Sequence, residues 1–337
     1  MTKLKVAIIG YGYMGEIRKR CVEAHKNMSL EAICEIDSGK LDEHGQDYQI
    51  LRDPSQVIEG DYDAVFVCTP NKFIPELTVE ALKHGKHVFC EKPPGTCLDD
   101  IVKMRDQEEK SPGLTLMFGF NHRYHPAILR AQKLIKSGTF GRLLWLRGIY
   151  GKSGGQKFGE SWRNDRQMSG GGILLDQGIH MLDLFNMFTG GFDDIKAFVG
   201  HGYWNFEVED NAFVVLKNKD GHLGSLHSSA TLWKHRFQLD FGLEGAYLTA
   251  EGLLSKTGSY GREMLKIGHR QFEDEAEAVG NPSEEIIYFD KDQSWDIEVG
   301  KFAEAILSEQ PLEESNSMDA YKAMKLVDQA YRDTGLI

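Results

Sequence analysis

The sequence contains few cysteines, and they show no arrangement that would form a disulfide framework or a zinc site. There are five in 337 residues, an odd number, and no two of them stand in a C-x-x-C pair. Several lie in or beside apolar runs, which is typical of reduced residues in a protein core. We therefore expect a cytoplasmic protein with free thiols at Cys21, Cys34, Cys68, Cys90 and Cys97.

Long hydrophobic runs and an excess of positive charge are also missing. The N-terminal apolar run VAII ends at Gly10 and is too short for a signal peptide, and no run approaches the ~20 apolar residues of a membrane-spanning helix. Lysine and arginine total 39 against 51 aspartates and glutamates, a net charge of −12. Because phosphate groups are bound mainly by positive charge, we expect neither a membrane nor a nucleic acid as a partner.

The length and the order of the apolar patterns predict two domains, 1–120 and 121–337. In the first, helical patterns at 13–25, 74–84 and 97–110 separate apolar strand candidates. These candidates are LKVAIIG, LEAICE, DAVFVC, KHVFC and LTLMFGF. Strands that are apolar throughout and alternate with helices predict a doubly wound α/β domain, in which helices cover both faces of a parallel sheet.

The second half has a different pattern. Residues 148–172 hold eight glycines and indicate a long loop, after which a helix is predicted over 173–189. Strand-like segments between 195 and 252 follow, joined by short Gly and Asp turns that favour an antiparallel sheet. Helices are predicted at 293–309 and 318–333, and we expect the last one to pack back on the first domain.

The segment VAIIGYGYMG carries a G-x-G-x-x-G motif between a predicted strand and a predicted helix. Its first glycine permits a tight turn, the second lets backbone N–H groups approach a pyrophosphate, and the third allows close helix–strand packing. Three glycines in a turn can also serve conformation alone, but the start of a β-α-β unit favours a dinucleotide site. The predicted cofactor contacts here are Gly10, Gly12, Tyr13, Met14 and Gly15.

Glu35 ends the second predicted strand, 20 residues after Gly15. A carboxylate in this place can accept hydrogen bonds from the adenosine ribose and would repel a 2′-phosphate. Its neighbour Ile36 offers no positive charge, although Lys40 and Arg52 are near in sequence. NAD is therefore favoured over NADP, and the alternative interpretation of Glu35 is a solvated surface residue.

The fifth predicted strand ends in HVFCEKPPG, which places Lys92 at the carboxyl edge of the sheet. Ligands of doubly wound folds bind at that edge. Pro93 and Pro94 stiffen the exit from the strand, and a lysine held beside a nicotinamide suits proton transfer. Without the glycine motif upstream, a lysine on a surface turn would be the better interpretation.

Asp176 and His180 stand four residues apart in LLDQGIHMLD, with Asp183 three residues further on. On a helix this spacing places them on one face. A metal site would need further ligands that the neighbouring sequence does not offer, so we expect no metal. A core histidine satisfied by Asp176 is the default, but the SGGG at 169–172 favours catalysis, since it would let the helix N-terminus approach a ligand. Asp183 is expected to support His180.

In order along the chain, GYGYMG, TPN, EKPPG, SWR and GGGILLDQGIHMLDL resemble the motifs of the Gfo/Idh/MocA family, whose members are NAD(P)-dependent oxidoreductases of sugars and cyclitols. The resemblance covers nearly the whole chain. It implies a Rossmann domain followed by an α/β domain with a large open, mainly antiparallel sheet that often forms dimer or tetramer contacts. We therefore expect a homodimer or a homotetramer.

The resemblance also implies roles for individual residues. Lys92 matches the lysine that contacts the reacting hydroxyl, and Asp176 and His180 match the catalytic pair. Where the family commonly has a histidine after the TPN motif, Ile74 stands here, so one contact of the cofactor loop differs. The further cofactor contacts that it implies are Thr69, Pro70, Asn71, Glu91, Lys92, Trp162 and Arg163.

The loop 151–166 carries four basic residues against two acidic ones, and Arg123 is expected to face the same cleft. Because guanidinium groups bind carboxylates and phosphates, this cluster predicts an anionic sugar such as a uronate or a nucleotide sugar. The alternative is a solvated loop with incidental charges. The basic residues of the loop are Lys152, Lys157, Arg163 and Arg166, and the predicted substrate contacts are Lys92, Arg123, Lys152, Arg163, Asp176 and His180.

The predicted reaction transfers a hydride between NAD and a carbon that bears a secondary hydroxyl in a sugar, sugar acid, nucleotide sugar or cyclitol. The hydroxyl proton passes to His180 or Lys92, and the sequence leaves this choice open. Two other functions fit the same residues: an NAD-dependent glycosidase that oxidises C3 transiently, and a non-catalytic NAD-binding regulator. The joint presence of Lys92, Asp176 and His180 disfavours the regulator.

Overall fold

The computed structural model divides the chain into two compact units. It describes residues 3–37, 39, 48–154, 158–271 and 280–335, so Lys40 and Lys157, both weighed above, lie outside the described residues. The first unit comprises 1–121, 167–170 and 295–324, and the second comprises 122–166, 171–294 and 325–337. The division into two domains at 1–120 and 121–337, which the sequence predicts, stays a prediction.

A six-stranded parallel sheet forms the centre of the first unit. Its strands are β1 (Leu4–Ile9), β2 (Met28–Cys34), β3 (Gln49–Leu51), β4 (Ala64–Val67), β5 (His87–Cys90) and β6 (Leu116–Phe118). They lie in the order β3-β2-β1-β4-β5-β6, and each neighbouring pair is parallel. This is the predicted doubly wound sheet, and the strand order reverses between β1 and β4. The sequence pattern missed the edge strand β3, which is only three residues long and buries one of them.

Most of the longer helices begin and end close to the predicted places. The helices are α1 (Tyr13–Ala24), α2 (Pro54–Ile58), α3 (Ile74–Lys83), α4 (Leu98–Glu109), α5 (Pro126–Lys136), α6 (Arg166–Ser169), α7 (Ile179–Thr189), α8 (Ser294–Ser308) and α9 (Ser317–Asp333). The short helices α2 and α6 were not predicted, and α7 begins later than expected. Pro75 lies in the first turn of α3, where no backbone N–H is needed, and the Asp53 side chain accepts from Ser55 N at the start of α2. Across the described part of the chain, we find no helix with the length and apolar character that crossing a bilayer requires.

Three phenylalanines mark the core of the first unit. Phe66 of β4 and Phe89 of β5 are stacked with their ring centroids 4.9 Å apart. Phe302 of α8 meets both rings edge-on, at 5.5 Å and 5.6 Å. All three side chains are fully buried, so the helix α8 is part of the core around the parallel sheet.

Arg18 of α1 is completely buried in the same unit. Its Nε donates to Glu91 Oε1 at 2.6 Å, and its Nη1 donates to Glu298 Oε2 at 2.7 Å. The guanidinium lies 4.3 Å from the ring centroid of Phe89 and 4.9 Å from that of Trp295. Burial by itself would lower the pKa of Arg18, but the two carboxylates more than offset this effect and raise it. One positive charge thus connects α1, the end of β5 and α8.

An eight-stranded sheet forms the second unit. Its strands are β7 (Leu143–Gly151), β8 (Asp194–Gly200), β9 (Asn211–Lys217), β10 (Leu223–Ser229), β11 (Arg236–Leu243), β12 (Ala246–Glu251), β13 (Glu263–His269) and β14 (Glu284–Phe289). Their order is β14-β13-β12-β11-β7-β10-β9-β8. Only the β7–β10 pair is parallel among these ladders, which confirms the predicted open, mainly antiparallel sheet.

The expected loop over 148–172 was wrong at its N-terminal end, because β7 continues to Gly151 in the middle of the sheet. The glycines there serve close packing. A Cβ on Gly148 would lie 3.2 Å from Met181 Sδ, and a Cβ on Gly151 would lie 2.4 Å from Ser229 O. The strands β13 and β14 were also missed. In β14 most residues are exposed, so the hydrophobic signal is weak.

One face of this sheet is covered by a helix, and the other face carries exposed side chains. The helix α7 is buried almost throughout and packs on one face, where Phe188 meets Phe241 with ring centroids 4.7 Å apart. The opposite face carries exposed apolar side chains from four neighbouring strands, β8, β9, β10 and β7. We call this set the open-face patch: Trp145, Phe198, Phe213, Val215 and Leu223. Its members are contiguous, because Phe198 pairs with Phe213 and Leu223 pairs with Trp145 across the strands.

Replacing Arg18 tests the buried charge cluster. We expect Arg18→Met to lower the free energy of unfolding by about 3–5 kcal/mol, because Glu91 and Glu298 would be left buried without their cation. Urea unfolding followed by far-ultraviolet circular dichroism measures it. Arg332→Met is the control, since Arg332 pairs with Asp328 on the surface of α9, where such pairs contribute little. A loss no larger than that of the control would contradict the assignment.

Candidate active site

The glycine motif forms a tight loop between β1 and α1. Gly10 has φ +93°, and a Cβ on it would lie 2.7 Å from Cys68 O. A Cβ on Gly15 would lie 2.3 Å from Gly10 O. A Cβ on Gly12 would meet nothing within 4 Å, so open space adjoins the N-cap of α1. Because the N-cap residue is a glycine, the helix has no side-chain cap there, and this arrangement suits a pyrophosphate.

Glu35 follows β2 and is buried beside the glycine loop. Its Oε2 accepts from Tyr11 N at 2.7 Å, and its Oε1 accepts from Asp37 N at 3.0 Å. Each carboxylate oxygen has a second acceptor position, so the group can still receive ribose hydroxyls. The exposed Ile36 beside it brings no positive charge for a 2′-phosphate. The donor and acceptor set thus fits NAD.

The TPN segment follows β4. Thr69 Oγ1 is buried and has no hydrogen-bond partner among the described residues, which marks a place for a ligand atom. Thr69 N would lie 3.0 Å from a Cβ on Gly10, so the hydroxyl belongs to the surroundings of the glycine loop. Asn71 is buried and donates its Nδ2 to Ser169 O at 2.8 Å. Cofactor contacts by Pro70 and Asn71 therefore stay predictions, as do those by the exposed Tyr13 and by Met14.

Lys92 is the second residue after β5 and is half-buried at the carboxyl edge of the parallel sheet. The carboxylate of its neighbour Glu91 is bound by Arg18, and a Cβ on Gly119 would lie 2.9 Å from Glu91 Oε2. The predicted contact between Glu91 and the cofactor would use the same carboxylate that already accepts a hydrogen bond from the buried Arg18 guanidinium. The ion pair fixes the backbone from which the Lys92 side chain extends.

Asp176 lies in a π-helical turn, Leu174–Gly178, that precedes α7 in the second unit. The predicted α-helix over 173–189 was therefore wrong in its first part, and the α-helical spacing of Asp176 and His180 does not apply there. Asp176 Oδ2 accepts from Lys152 Nζ at 2.6 Å, and Oδ1 accepts from Arg163 Nε at 3.3 Å. Isolated π-turns are frequent at functional sites.

His180 begins a chain of ring contacts in the second unit. Its imidazole is stacked on that of His122, with ring centroids 3.7 Å apart, and His122 Nε2 lies 2.8 Å from Tyr150 Oη. Burial raises the pKa of Tyr150 well above its usual value, and the neighbouring Tyr260 adds to this effect. Tyr260 meets His235 edge-on at 4.9 Å. Sequence reasoning missed these partners, although His122 stands in the NHR segment that drew attention to Arg123.

The glycines before Asp176 do not open the helix N-terminus to a ligand, so that expectation was wrong. The carboxylate of the buried Glu209 accepts from Gly172 N at 2.7 Å and from Leu174 N at 3.0 Å. Tyr331 Oη donates to the same carboxylate at 2.8 Å. A Cβ on Gly172 would lie 2.0 Å from Glu209 O, and one on Gly171 would lie 2.2 Å from Tyr331 Oη. The glycines permit this close approach of an internal cap.

Arg123 is buried and engaged with Asp183. Its Nε donates to Asp183 Oδ2 at 2.7 Å, and its Nη2 lies 2.5 Å from Oδ1. Two of the N–H groups of Arg123 are therefore directed at Asp183, a residue of the same unit. The predicted substrate contact by Arg123 therefore stays a prediction that the geometry does not favour. Trp162 and Arg163 lie in one 3₁₀ turn, Trp162–Asn164, with the guanidinium 4.5 Å from the indole ring centroid.

A cavity of about 250 Å³ adjoins Asp176 in the second unit. Its polar wall includes Lys152, Arg163, Asn164 and His235, and its apolar wall includes Phe158, Phe206 and Val208. Burial and the charge of Lys152 lower the pKa of His235, so this imidazole is neutral at pH 7. Among the predicted substrate contacts in this unit, Lys152, Arg163 and Asp176 line the cavity, whereas Arg123 and His180 are buried and are not among its lining residues.

The described residues contain no group of three His, Cys, Asp or Glu side chains that could hold a metal ion. The histidines around His180 contact each other and a tyrosine, and Asp176 contacts two cations.

The glycine loop, the Glu35 carboxylate and the switch point of the sheet define a dinucleotide-binding oxidoreductase. Residues 4–120 match the model of the oxidoreductase family with an NAD-binding Rossmann fold, and residues 128–247 match the GFO/IDH/MocA C-terminal domain. The chain belongs to the Gfo/Idh/MocA family of NAD-binding oxidoreductases.

Curated relatives share part of this sequence. Levoglucosan dehydrogenase of Pseudarthrobacter phenanthrenivorans is 29% identical over 220 residues, which is 58% of this chain but only 54% of that protein. D-glucoside 3-dehydrogenase of Escherichia coli is 28% identical over 68% of this chain and 71% of its own length. Myo-inositol 2-dehydrogenase of Thermotoga maritima is 28% identical over 67% and 68%.

Solved structures share the fold over nearly the full length. Levoglucosan dehydrogenase in complex with NADH and levoglucosan superimposes with a TM-score of 0.87 at 19% identity, covering 99% of this chain and 98% of that one. Myo-inositol 2-dehydrogenase from Lactobacillus plantarum gives a TM-score of 0.80 at 22% identity, with 99% and 98% covered. At these identities the likeness establishes the fold.

Replacing Gly12 tests the cofactor site. We expect Gly12→Ala to fold normally, since its φ is −84° and a Cβ would meet no protein atom within 4 Å. The added methyl group would occupy the space through which a pyrophosphate approaches, so the Kd for NAD should rise at least about tenfold, or ~1.4 kcal/mol. Calorimetric titration with NAD measures it. Gly300→Ala, which also meets nothing within 4 Å, is the control, and an unchanged Kd in Gly12→Ala would refute the site.

Proposed function

We propose that this protein is an NAD-dependent dehydrogenase that oxidises a secondary hydroxyl of a sugar or cyclitol. One observation carries the proposal: Asp176, held by Lys152 and Arg163, lines a cavity in a chain whose other unit has the glycine loop for NAD. The named relatives support this class of substrate, since they include dehydrogenases of levoglucosan, a D-glucoside and myo-inositol. A cytoplasmic location is proposed from the five unpaired cysteines.

Different residues of the chain are proposed to have different roles in the reaction. When NAD is bound, it supplies the hydride acceptor. Lys152 and Arg163 hold the Asp176 carboxylate in place, and this carboxylate is proposed to accept a hydrogen bond from a substrate hydroxyl. The proton of the reacting hydroxyl passes to Lys92 or His180. For His180, the stacked His122 and its hydrogen bond to Tyr150 would hold the ring in one orientation.

The charges around the cavity favour a neutral sugar over the anionic one that the loop predicts. Lys152 and Arg163 both contact Asp176, and Asp210 adds a further carboxylate to the wall. A carboxylate or phosphate on the substrate would have to compete with Asp176 for the same two cations. We therefore propose that the substrate is an uncharged polyol ring. A substrate panel should include uronates and nucleotide sugars, which we expect to be turned over less efficiently.

The two candidate bases can be separated by substitution. We expect Lys92→Gln and His180→Gln each to fold normally, and the variant that removes the base should lower kcat at saturating NAD about 10²–10⁴-fold, because a positioned acid–base group contributes that much. NADH formation at 340 nm with a panel of sugars measures it, with released aglycone followed in parallel to detect glycosidase activity. His84→Gln, at the exposed end of α3, is the control. Near-normal turnover in both variants would remove these residues from the mechanism.

We also propose that the open-face patch forms a subunit contact, which gives a homodimer or a homotetramer. Phe198 is 82% exposed and Val215 58%, and contiguous apolar surfaces of this kind mark interaction sites. The antiparallel ladder between β8 and β9 holds Phe198 beside Phe213, and the parallel ladder between β7 and β10 holds Trp145 beside Leu223.

A charge placed in the patch tests this contact. We expect Phe213→Asp to lower the mass in solution to that of a monomer, since a carboxylate would be buried without a partner in the contact. Sedimentation velocity measures the mass. Leu307→Asp, an exposed apolar position of α8, should leave it unchanged. A wild-type monomer, or an unaltered oligomer in Phe213→Asp, would contradict the proposal.

A further inference from the structure

Five aromatic side chains form a contiguous cluster in the second unit, and the acid–base chemistry uses none of them. We call this cluster the aromatic platform: Phe158, Tyr203, Trp204, Phe206 and Trp233. Trp204 is stacked on Phe206, with ring centroids 5.4 Å apart and ring planes 7° apart, and it also contacts Phe158 at 5.1 Å. Tyr203 meets Trp233 edge-on at 4.9 Å and Trp204 at 5.2 Å.

The platform is anchored by polar contacts. The Asp210 carboxylate accepts from the backbone N of Gly202 at 2.6 Å, of Tyr203 at 2.8 Å and of Trp204 at 2.8 Å. Burial opposes the charge on Asp210, but the three N–H donors outweigh this effect and lower its pKa. Trp204 Nε1 donates to Ala230 O at 3.1 Å. The rings are thus held in place before a ligand arrives, which reduces the entropy lost on binding.

Trp233 is held in an unusual backbone conformation. Its φ is +54°, a left-handed region that is rare for residues other than glycine, asparagine and aspartate. Trp233 is nevertheless 57% exposed, and its neighbour Tyr203 is 68% exposed. Large aromatic side chains normally stabilise a fold by burial, so this exposure does not serve the core. Strained residues of this kind concentrate at ligand-binding sites.

The platform continues from the proposed substrate cavity. Phe158 and Phe206 both line that cavity, and Trp204 connects them to the exposed Tyr203 and Trp233. A cavity of about 250 Å³ lies below the ~300–1,000 Å³ typical of ligand pockets, so a ligand of more than one ring would extend beyond it. The direction in which it can extend over apolar surface is along the platform.

Resting on the proposed function, we propose that the aromatic platform binds a second sugar ring, so that the substrate is a disaccharide or longer glycoside and not a free monosaccharide. One face of a pyranose ring carries C–H groups that pack on an aromatic surface, while its hydroxyl groups stay at the rim. The polar residues His201 and Lys234, which flank the platform in sequence, are exposed. The ring to be oxidised would occupy the cavity beside Asp176.

A substrate panel with a platform variant tests this proposal. We expect kcat/KM for cellobiose, maltose or lactose to exceed that of glucose or galactose at least about tenfold in the wild type. In Trp233→Ala the ratio of disaccharide to monosaccharide kcat/KM should fall about tenfold, and Trp233→Phe should restore most of it, because an aromatic face is recovered. Tyr288→Ala removes an exposed tyrosine of β14, outside the platform, and should keep the wild-type ratio.

Calorimetric titration of each sugar in the presence of NAD makes the test independent of turnover. If no sugar yields NADH but a disaccharide binds the wild type and not Trp233→Ala, the dehydrogenase proposal fails while the subsite stands. Equal kcat/KM and Kd for mono- and disaccharides, or a ratio that Trp233→Ala does not change, would overturn the subsite. So would a preference confined to 4-nitrophenyl glycosides, or a change of oligomer mass in Trp233→Ala with unchanged sugar selectivity.

Discussion

The buried guanidinium of Arg18 is the interaction on which the cofactor-binding unit depends. Its helix, α1, starts at the glycine loop, and its two carboxylate partners come from the end of β5 and from α8. Removing a charge from water is costly, so such a cluster is stable only when each member keeps its partners. The position of Glu91, and with it the backbone of Lys92, is thereby tied to the helix whose N-terminus is proposed to receive the pyrophosphate.

Buried carboxylates organise the second unit in a similar way. Glu209 closes the N-terminus before the π-turn, and Asp210, the next residue, anchors the loop of Trp204. The π-turn then presents Asp176 to Lys152 and Arg163. Because these two cations are already directed at a carboxylate, the positive charge that the loop sequence suggests is largely compensated. This compensation is the physical reason for preferring an uncharged sugar as the substrate.

Much of the first unit follows from local patterns in the sequence. Its strands are apolar throughout, its helices have clear starts and ends, and the spacing of Gly10, Gly12, Gly15 and Glu35 has one simple interpretation. The strand β7 was missed because Gly148 and Gly151 imitate a loop, whereas they are glycines so that Met181 and Ser229 can approach. Such approaches join residues far apart in sequence, and no local pattern reports them.

The candidate site shows the same limit. Its motif residues could be named from the sequence, but their partners could not. The Arg18–Glu91 pair, the stacking of His180 on His122 and the cap by Glu209 all depend on tertiary packing. The π-turn at Asp176 could not be foreseen either, since the spacing of apolar residues through 173–189 fits an ordinary α-helix. The aromatic platform gathers residues from three separate segments, and each segment alone has only one or a few unremarked aromatic residues.

The central claim, that this chain moves a hydride from a sugar carbon to NAD, is tested most directly by isotope transfer. The sugar that is turned over would be supplied with deuterium on its ring carbons, and the reduced cofactor would be analysed by mass spectrometry. The account predicts one deuterium in each NADH formed and slower formation than from the unlabelled sugar. Unlabelled NADH from the deuterated sugar, or a change in the sugar without any reduction of NAD, would contradict it.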